Sequence, residues 1–140
     1  MHPKFQRAND LSRQVIGAAI EVHRLKGPGL IESIYEKCLM RELFLQSIPA
    51  IQQLIVPIEY KGYTFEEPLR LDLLVDECLL IELKVVSQVL PIHKAQLMSY
   101  MKLMDIPLGL LINFHELRLI DGVHRLMLPG SSGQDPTDSI

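Results

Sequence analysis

A strand, a helix and a second strand follow one another in the second half of the chain, and this order restricts the fold more than any other feature. Leu79–Val86 is a short apolar run of β type, Pro91–Met104 has proline at the first position of a helical segment, and Leu108–Phe114 is almost continuously apolar. Such a unit joins parallel strands, and a continuously apolar strand is typical of a sheet buried on both faces. The chain therefore predicts a mixed sheet flanked by helices.

Segments on either side of this unit complete the predicted element order α-α-β-β-β-α-β-β-β. Asn9 or Asp10 would cap a first helix that runs to about Lys26, before the helix-breaking Gly27-Pro28-Gly29. A second helix would run from Leu30 to about Gln46. The remaining strands are expected at Ile51–Glu59, Leu69–Val75, Leu117–Ile120 and Val123–Leu128, with a hairpin turn at Tyr60-Lys61-Gly62-Tyr63 and a final hairpin around Asp121-Gly122.

Length and composition predict one cytoplasmic globular domain, spanning 1–128, with a disordered polar tail at 129–140. No apolar run approaches the roughly 20 residues of a membrane-spanning helix, so no membrane is expected. The polar start lacks the apolar core of a signal peptide, and two cysteines without a CxxC pattern indicate reduced thiols. The net charge of −3 argues against a nucleic-acid coat protein, although residues 4–26 remain locally basic.

Charged side chains interrupt two of the strands at positions where they would meet. Residues two apart on a strand share a face, so Glu82 and Lys84 project together. A two-residue turn between the strands would place Asp72 opposite Ile81, on the other face, whereas a three-residue turn at 76–78 would place Asp72 opposite Glu82. We predict the three-residue turn.

In that register two carboxylates and an amine converge, which is a combination suited to metal-assisted phosphodiester hydrolysis. Like charges at short range need a cation, and oxygen ligands suit Mg²⁺ or Mn²⁺. Such an ion can bind a phosphate oxygen, lower the pKa of an attacking water and stabilise the leaving oxygen. Lys84 would then orient or deprotonate that water, or neutralise the developing charge.

Three motifs resemble those of a known group of nucleases. Asp72 followed by Glu82-Leu83-Lys84 resembles the PD-(D/E)xK signature, and Gln96-Leu97-Met98-Ser99-Tyr100 resembles the QxxxY motif of the RecB-like branch of those nucleases. The segment Gly29-Leu30-Ile31-Glu32-Ser33-Ile34-Tyr35 looks like the signature of the GxxExxY family, a small PD-(D/E)xK-like group. The resemblance covers roughly residues 8–128. It departs from the pattern at Leu71, which stands where the signature has proline.

The resemblance implies a restriction-endonuclease-like core, α-βββ-α-β, in an α+β protein with an extra N-terminal helix and a C-terminal hairpin. It implies that Asp72 and Glu82 bind the metal, with the backbone carbonyl of Leu83 as a further ligand. Lys84 would be the motif lysine. Glu32 would match the first-helix carboxylate that completes the metal site in some branches.

The same resemblance implies roles on the later helix. Gln96 would hydrogen-bond the water or the substrate phosphate, and Tyr100, one turn on, would share its face. Each role has a structural alternative. Glu32, with Gly29 as N-cap, would lie at the third helical position and interact with the helix dipole, and Tyr35 and Tyr100 would pack in the core with locally satisfied hydroxyls.

Three functions remain open from the sequence. The leading one is a Mg²⁺- or Mn²⁺-dependent nuclease, acting on DNA more readily than RNA, in which a homodimer would supply additional binding surface. The second is a binding module of the same fold, using basic residues of 4–26 with Lys94 and Lys102. The third is a structural role, in which Glu82 and Lys84 simply form an ion pair.

Overall fold

The computed structural model describes residues 1–66 and 68–133, which contain three helices and seven strands. The long helices are α1 (Phe5–Lys26), α2 (Glu32–Leu45) and α3 (Pro91–Met104). The strands are β1 (Ala50–Val56), β2 (Glu59–Tyr60), β3 (Tyr63–Thr64), β4 (Leu69–Val75), β5 (Leu79–Lys84), β6 (Leu108–Asn113) and β7 (Val123–Met127).

Five of these strands form one mixed sheet, in the order β1-β4-β5-β6-β7. Only the β5–β6 pair is parallel, and it is joined through α3 as the strand–helix–strand pattern predicts. The other neighbours are antiparallel. Every residue of β6 is buried, which confirms the interpretation of its apolar run. The predicted α+β architecture with a mixed sheet is confirmed.

The helices cover both faces of this sheet. The core that contains α1 and α2 includes Ile81 and Leu83 of β5, whereas the core that contains α3 includes Leu80. Because side chains alternate between the two faces of a strand, β5 contributes residues to two separate cores. Glu82 shares the parity of Leu80 and projects toward the α3 side.

Close packing holds α3 against the sheet at Gly109 of β6. A Cβ atom at this position would lie 2.7 Å from the Met101 sulfur and 3.2 Å from the Leu97 methyl groups. Because such distances are shorter than contacts that packed side chains accept, the glycine allows the helix to approach the strand. The depth of α3 on the sheet therefore depends on this residue.

Two predicted helix starts are wrong. Helix α1 begins at Phe5 after Lys4, with no side-chain cap, rather than at a cap on Asn9 or Asp10. Helix α2 begins at Glu32 with Ile31 as N-cap, so Glu32 is the first helical residue and Gly29 is not the cap. In both helices the expected cap is not used, because capping propensity is only a weak signal of where a helix begins.

The predicted strand Leu117–Ile120 is also wrong. The segment after β6 forms bends and a 3-10 turn at Leu119–Gly122, and β7 then returns antiparallel to β6. Leu119 is buried while Leu117 and Ile120 are exposed. Short apolar runs do not distinguish a strand from a tight turn that buries a single side chain. The predicted C-terminal hairpin of Leu117–Ile120 with Val123–Leu128 is therefore not formed, and β7 pairs with β6 instead.

A separate hairpin of β2 and β3 lies between β1 and β4. Its register pairs Glu59 with Thr64 and Tyr60 with Tyr63 across the predicted turn, in which Lys61 and Gly62 have positive φ. The predicted strand Ile51–Glu59 is therefore divided between the main sheet and this hairpin. All described residues from Glu59 to Glu66 are exposed.

The segment that follows β7 packs beside the start of the chain. Ser131 is buried, and its carbonyl accepts a hydrogen bond from the His2 amide at 2.9 Å. The predicted disordered tail 129–140 begins with these turns, and its residues 134–140 lie outside the described residues. Among the described residues, no helix has both the length and the apolar character that crossing a bilayer requires.

Candidate active site

The turn between β4 and β5 sets the register on which the candidate site depends. Val75 pairs with Leu79 and Leu73 with Ile81, which confirms the three-residue turn and brings Asp72 opposite Glu82. The Cys78 amide donates to the Val75 carbonyl at 3.1 Å across the turn. Asp76 and Glu77 have φ of 47° and 57°, which is the backbone that hairpin turns favour because it follows the strand twist.

Asp72 and Glu82 bind each other's strand through reciprocal hydrogen bonds. The Asp72 amide donates to Glu82 Oε1 at 3.2 Å, and the Leu83 amide donates to Asp72 Oδ2 at 2.8 Å. Each carboxylate therefore accepts from the backbone of the opposite strand, next to the Leu73–Ile81 pair. This arrangement fixes both side chains.

Burial raises the pKa of both carboxyl groups, and at Glu82 the charge of Asp72 raises it further. Desolvation is the main cause at Asp72, and the Leu83 amide and the nearby Lys84 oppose it. Glu82 is only 9 % exposed. Its desolvation, reinforced by the charge of Asp72, raises its pKa to about 8. At neutral pH the pair therefore favours holding a proton, or a cation in its place.

Lys84 lies at the end of β5 and is half-buried. Its charge lowers the pKa values of Asp72, Glu82 and Glu32, so it lies close enough to act on all three. The ion pairs of the described residues do not include Lys84. The simple Glu82–Lys84 ion pair expected for a purely structural role is therefore not formed.

Asn113 anchors the chain just beyond Lys84, and sequence reasoning missed it. Its Nδ2 donates to the Val86 carbonyl at 2.8 Å, while its Oδ1 accepts from the Val86 amide at 3.1 Å and the His115 amide at 3.2 Å. It is fully buried and lies beside Lys84 in the β5–β6 register. The sequence signal that could have found Asn113 is a polar residue at the end of an apolar strand.

Helix α2 brings two carboxylates toward this pair. Burial, and then the charge of Asp72, raises the pKa of Glu32, whose residue as a whole is exposed. Glu36, one turn later, is buried and was not singled out from the sequence. Its pKa is raised by burial and by Asp72, against a lowering hydrogen bond from Gln53. Its spacing of four residues from Glu32 was the signal that could have found it.

Strand β1 is distorted where it passes this group. The Gln53 side chain donates to Glu36 Oε1 at 2.7 Å, and Gln52 donates to Oε2 at 3.5 Å. Gln53 has φ of 54°, in the left-handed region, at the position that lies opposite Asp72 by continuation of the register. Such a backbone is disfavoured for a residue with a side chain, so the surrounding contacts must hold it in place.

Helix α3 contributes Tyr100 from the other face of the sheet. Burial, Glu82 and Asp72, in that order, raise the pKa of its hydroxyl, which places Tyr100 beside the carboxylate pair. Gln96 is exposed one turn earlier on the same helix. The structure thus brings Glu32, Lys84 and Tyr100 to the Asp72–Glu82 pair, and it gives Gln96 no described contact with them.

Tyr35 has the structural role that was expected of it. It is fully buried and stacks on Phe114 with the ring centroids 4.5 Å apart. Its hydroxyl donates to the Gly27 carbonyl at 2.5 Å and accepts from the Leu30 amide at 3.1 Å. The residue therefore fixes the loop that leads into α2, and so the position of Glu32.

The donor chemistry of the site fits a divalent cation. Asp72 and Glu82 have raised pKa values that a bound cation would reverse, and Mg²⁺ commonly uses one or two carboxylates and keeps several waters. Within residues 1–66 and 68–133, no three carboxylate, histidine or cysteine side chains are arranged to hold a metal ion. The fit is therefore to an ion bound mainly by this pair.

Comparison with known proteins adds one match to this geometry. The family model described as the PD-(D/E)XK nuclease superfamily matches residues 9–126, which include both strands of the carboxylate pair and all three helices in large part. No curated protein and no solved structure matches the chain. The narrower GxxExxY resemblance stays a prediction. On the extent of the family match, the chain belongs to the PD-(D/E)XK nuclease superfamily.

Proposed function

We propose that this protein is a metal-dependent nuclease that hydrolyses phosphodiester bonds of nucleic acid. The superfamily suggests a nuclease and implies a nucleic-acid substrate. The observation that carries the proposal is that Asp72 and Glu82 each accept a hydrogen bond from the backbone of the other's strand, next to Lys84. Among the described ion pairs, neither carboxylate is paired with Lys84. An ammonium group in this position, beside a carboxylate pair, is what an anionic substrate needs.

The protein's own groups would divide the work as follows. Asp72 and Glu82 would hold the cation, and Glu32 and the Leu83 carbonyl are further ligands in this proposal. When bound, a divalent ion supplies Lewis-acid stabilisation of the phosphate and lowers the pKa of water. Lys84 would neutralise charge that develops on the phosphate, or orient the attacking water.

The cation in this proposal is Mg²⁺ or Mn²⁺. Nucleases of the superfamily typically use divalent metals, and the oxygen-only donor set of this site suits hard cations. Gln96 and Tyr100 would contact the substrate phosphate or the water from α3. DNA is proposed as the substrate before RNA. A homodimer would enlarge the binding surface of a small chain whose net charge is −3.

Two substitutions test this proposal together. Lys84→Ala should lower cleavage of DNA by roughly a hundred-fold or more while Mn²⁺ still binds, because the lysine acts on the substrate. Asp72→Ala should remove both cleavage and Mn²⁺ binding. The measurements are cleavage of labelled DNA in Mg²⁺ and Mn²⁺, and calorimetric titration with Mn²⁺ alone. Lys37→Ala, which removes an exposed lysine of α2, is the matched control and should behave as wild type.

Normal cleavage by Lys84→Ala would contradict the mechanism, and an inactive wild type would contradict the function.

One observation favours a second candidate, a binding module without hydrolysis. It is that no three metal-ligating side chains are gathered among the described residues. That module would bind DNA with an affinity that Asp72→Ala leaves unchanged, and calorimetry would give no heat with Mn²⁺.

A further inference from the structure

We propose that the β2–β3 hairpin binds unpaired bases of the substrate strand on an aromatic strip formed by Tyr60, Tyr63 and Phe65. This inference rests on the proposed function for its choice of nucleic acid as the partner. It assigns to the hairpin a role that neither the carboxylate pair nor the sequence motifs provide.

The three rings lie on one face of the hairpin. Tyr60 and Tyr63 are directly opposite each other in the register, and directly opposite residues share a face. Phe65 is two residues after Tyr63 and therefore lies on the same face. The Tyr63 and Phe65 rings meet edge to face with their centroids 5.2 Å apart. The strip is thus continuous.

The strip is open to solvent to a degree that is unusual for aromatic side chains. Tyr60 is 63 % exposed, Tyr63 66 % and Phe65 42 %, whereas Tyr35 and Phe114 are fully buried. An isolated two-stranded hairpin gains little stability by itself, and this one adds no described residue to either core. The rings are therefore available to a ligand.

The charges around the hairpin differ between its two faces. Lys61 lies 5.3 Å from the Tyr60 ring centroid. Glu59 has the opposite strand parity to Tyr60, so it projects from the other face. The aromatic face thus carries a cation and the opposite face carries an acid. This distribution directs a nucleic-acid strand to the aromatic face, where its bases can stack on the rings with Lys61 beside them.

The position of the hairpin connects it to the carboxylate pair. It joins the end of β1 to the start of β4, where Val56 pairs with Leu69. Asp72 lies three residues further along β4, which is roughly 10 Å at the rise of a strand. Arg70, exposed between them, adds a cation on the way. A strand whose phosphate reaches the carboxylate pair would extend along β4 and past its start, and bases further along that strand would reach the aromatic strip.

Binding of fluorescent DNA by anisotropy tests the inference in the presence of EDTA, so that no cleavage is needed. The two probes are one single-stranded oligodeoxynucleotide and its blunt duplex. Tyr63→Ala should weaken binding of the single strand by roughly ten-fold, which corresponds to the loss of one stacked base. It should leave duplex binding unchanged. The salt dependence of single-strand binding should also stay the same, because stacking neutralises no phosphate.

Two control variants make the result specific. Tyr63→Phe keeps the ring and should bind as wild type. Phe44→Ala removes an aromatic side chain of α2 that is 70 % exposed and lies against Arg41, as Tyr60 lies against Lys61. It should have no effect on binding. All three variants change exposed positions, so their thermal unfolding should match the wild type.

The outcomes separate this inference from the proposed function. Single-strand binding that Tyr63→Ala leaves unchanged, or that falls equally for duplex, overturns the aromatic strip as a base-binding surface. A change of oligomeric state in Tyr63→Ala, measured by sedimentation, overturns it in favour of a second copy of the chain. Wild-type protein that shows the stacking contribution but never cleaves DNA supports the inference and contradicts the nuclease proposal alone.

Discussion

Two side chains at the end of the β4–β5 pairing act both as charges and as hydrogen-bond acceptors for the backbone. Asp72 accepts from the Leu83 amide and Glu82 accepts from the Asp72 amide. Their carboxylates thus accept hydrogen bonds from main-chain amides, as main-chain carbonyls do between paired strands. Because the groups are buried, the same arrangement makes their ionisation costly. The residue-level chemistry of the site and its stability are therefore linked.

Glu82→Gln should remove a pH dependence of stability in metal-free protein. The pKa of Glu82 is raised to about 8 in the folded state, so the folded protein keeps a proton that the unfolded chain releases near its ordinary value of 4.5. Stability from this group is thus fully present below pH 4.5 and declines as the pH rises to about 8, by up to roughly 1.4 kcal/mol per unit. Urea unfolding with EDTA at pH 5 and pH 8 measures it.

A neutral glutamine keeps a hydrogen-bonding carbonyl without the charge. The variant should therefore lose less stability than wild type between these two pH values. An equal loss in variant and wild type would contradict the raised pKa of Glu82 in the folded state.

Sequence reasoning found most of the site residues but not all of their surroundings. Strand parity and one choice of turn length sufficed to bring Asp72, Glu82 and Lys84 together, because the side-chain period of a strand is two. Glu36 was missed because its burial depends on Gln53 of β1, a partner distant in sequence whose left-handed backbone no local pattern indicates. Long-range hydrogen bonds of this kind are beyond a single-sequence pattern.

At the scale of elements, Asn113 links the ends of β5 and β6. Its side chain satisfies both main-chain groups of Val86 and the amide of His115. Lys84 lies between this anchor and the carboxylate pair. The Phe114 amide donates to the Lys84 carbonyl at 2.9 Å. The strand end that carries the lysine is therefore fixed from both directions.

Asn113→Ala should destabilise the protein by about 2–4 kcal/mol, because it leaves three main-chain groups without their partner. Urea unfolding gives the loss of stability, and hydrogen exchange at the Val86 and His115 amides should accelerate more than exchange at the amides within β6. Asn9→Ala, which removes the exposed hydrogen bond to Arg125, is the control and should cost less than about 1 kcal/mol. A loss at Asn113 no larger than that of the control would contradict the anchor.

Predictability at this scale depended on the length of the pattern. The long apolar strand β6 and the helix α3 were found from sequence, because their periodicity extends over many residues. Leu117–Ile120 was assigned to a strand, and it instead leads into a 3-10 turn in which Leu119 is buried while Ile120 is exposed. Four residues contain too little periodicity to separate these cases.

At the scale of the whole molecule, the candidate site joins elements from both faces of the sheet. Helix α2 brings Glu32 and Glu36 from the first core, and helix α3 brings Tyr100 from the second. The strands β4 and β5 between them carry the carboxylate pair. A cation bound at this pair would interact with groups from both layers, and its binding energy would add to global stability.

Mn²⁺ should therefore raise the midpoint of thermal unfolding of the wild type. At a hundred-fold excess over Kd the gain is about 2.7 kcal/mol, or roughly 5–10 °C for a chain of this size. The rise should be larger at pH 8 than at pH 6, because the ion replaces a proton held by the pair. Asp72→Ala should show no rise, whereas Asp121→Ala, at an exposed carboxylate, should keep it. An equal rise in both variants would contradict binding at this pair.

The absence of a side chain at Gly109 has a consequence for how this protein tolerates sequence change. The position faces Leu97 and Met101 on α3, and Tyr100 stands on the same helix between them. One added methyl would collide with the Met101 sulfur, so that side chain, and any part of α3 that moves with it, would have to shift beside Tyr100. Selection that acts on the carboxylate pair should therefore also restrict which residues are accepted at Gly109, although this position contributes no functional group. The restriction comes from the short distance between β6 and α3.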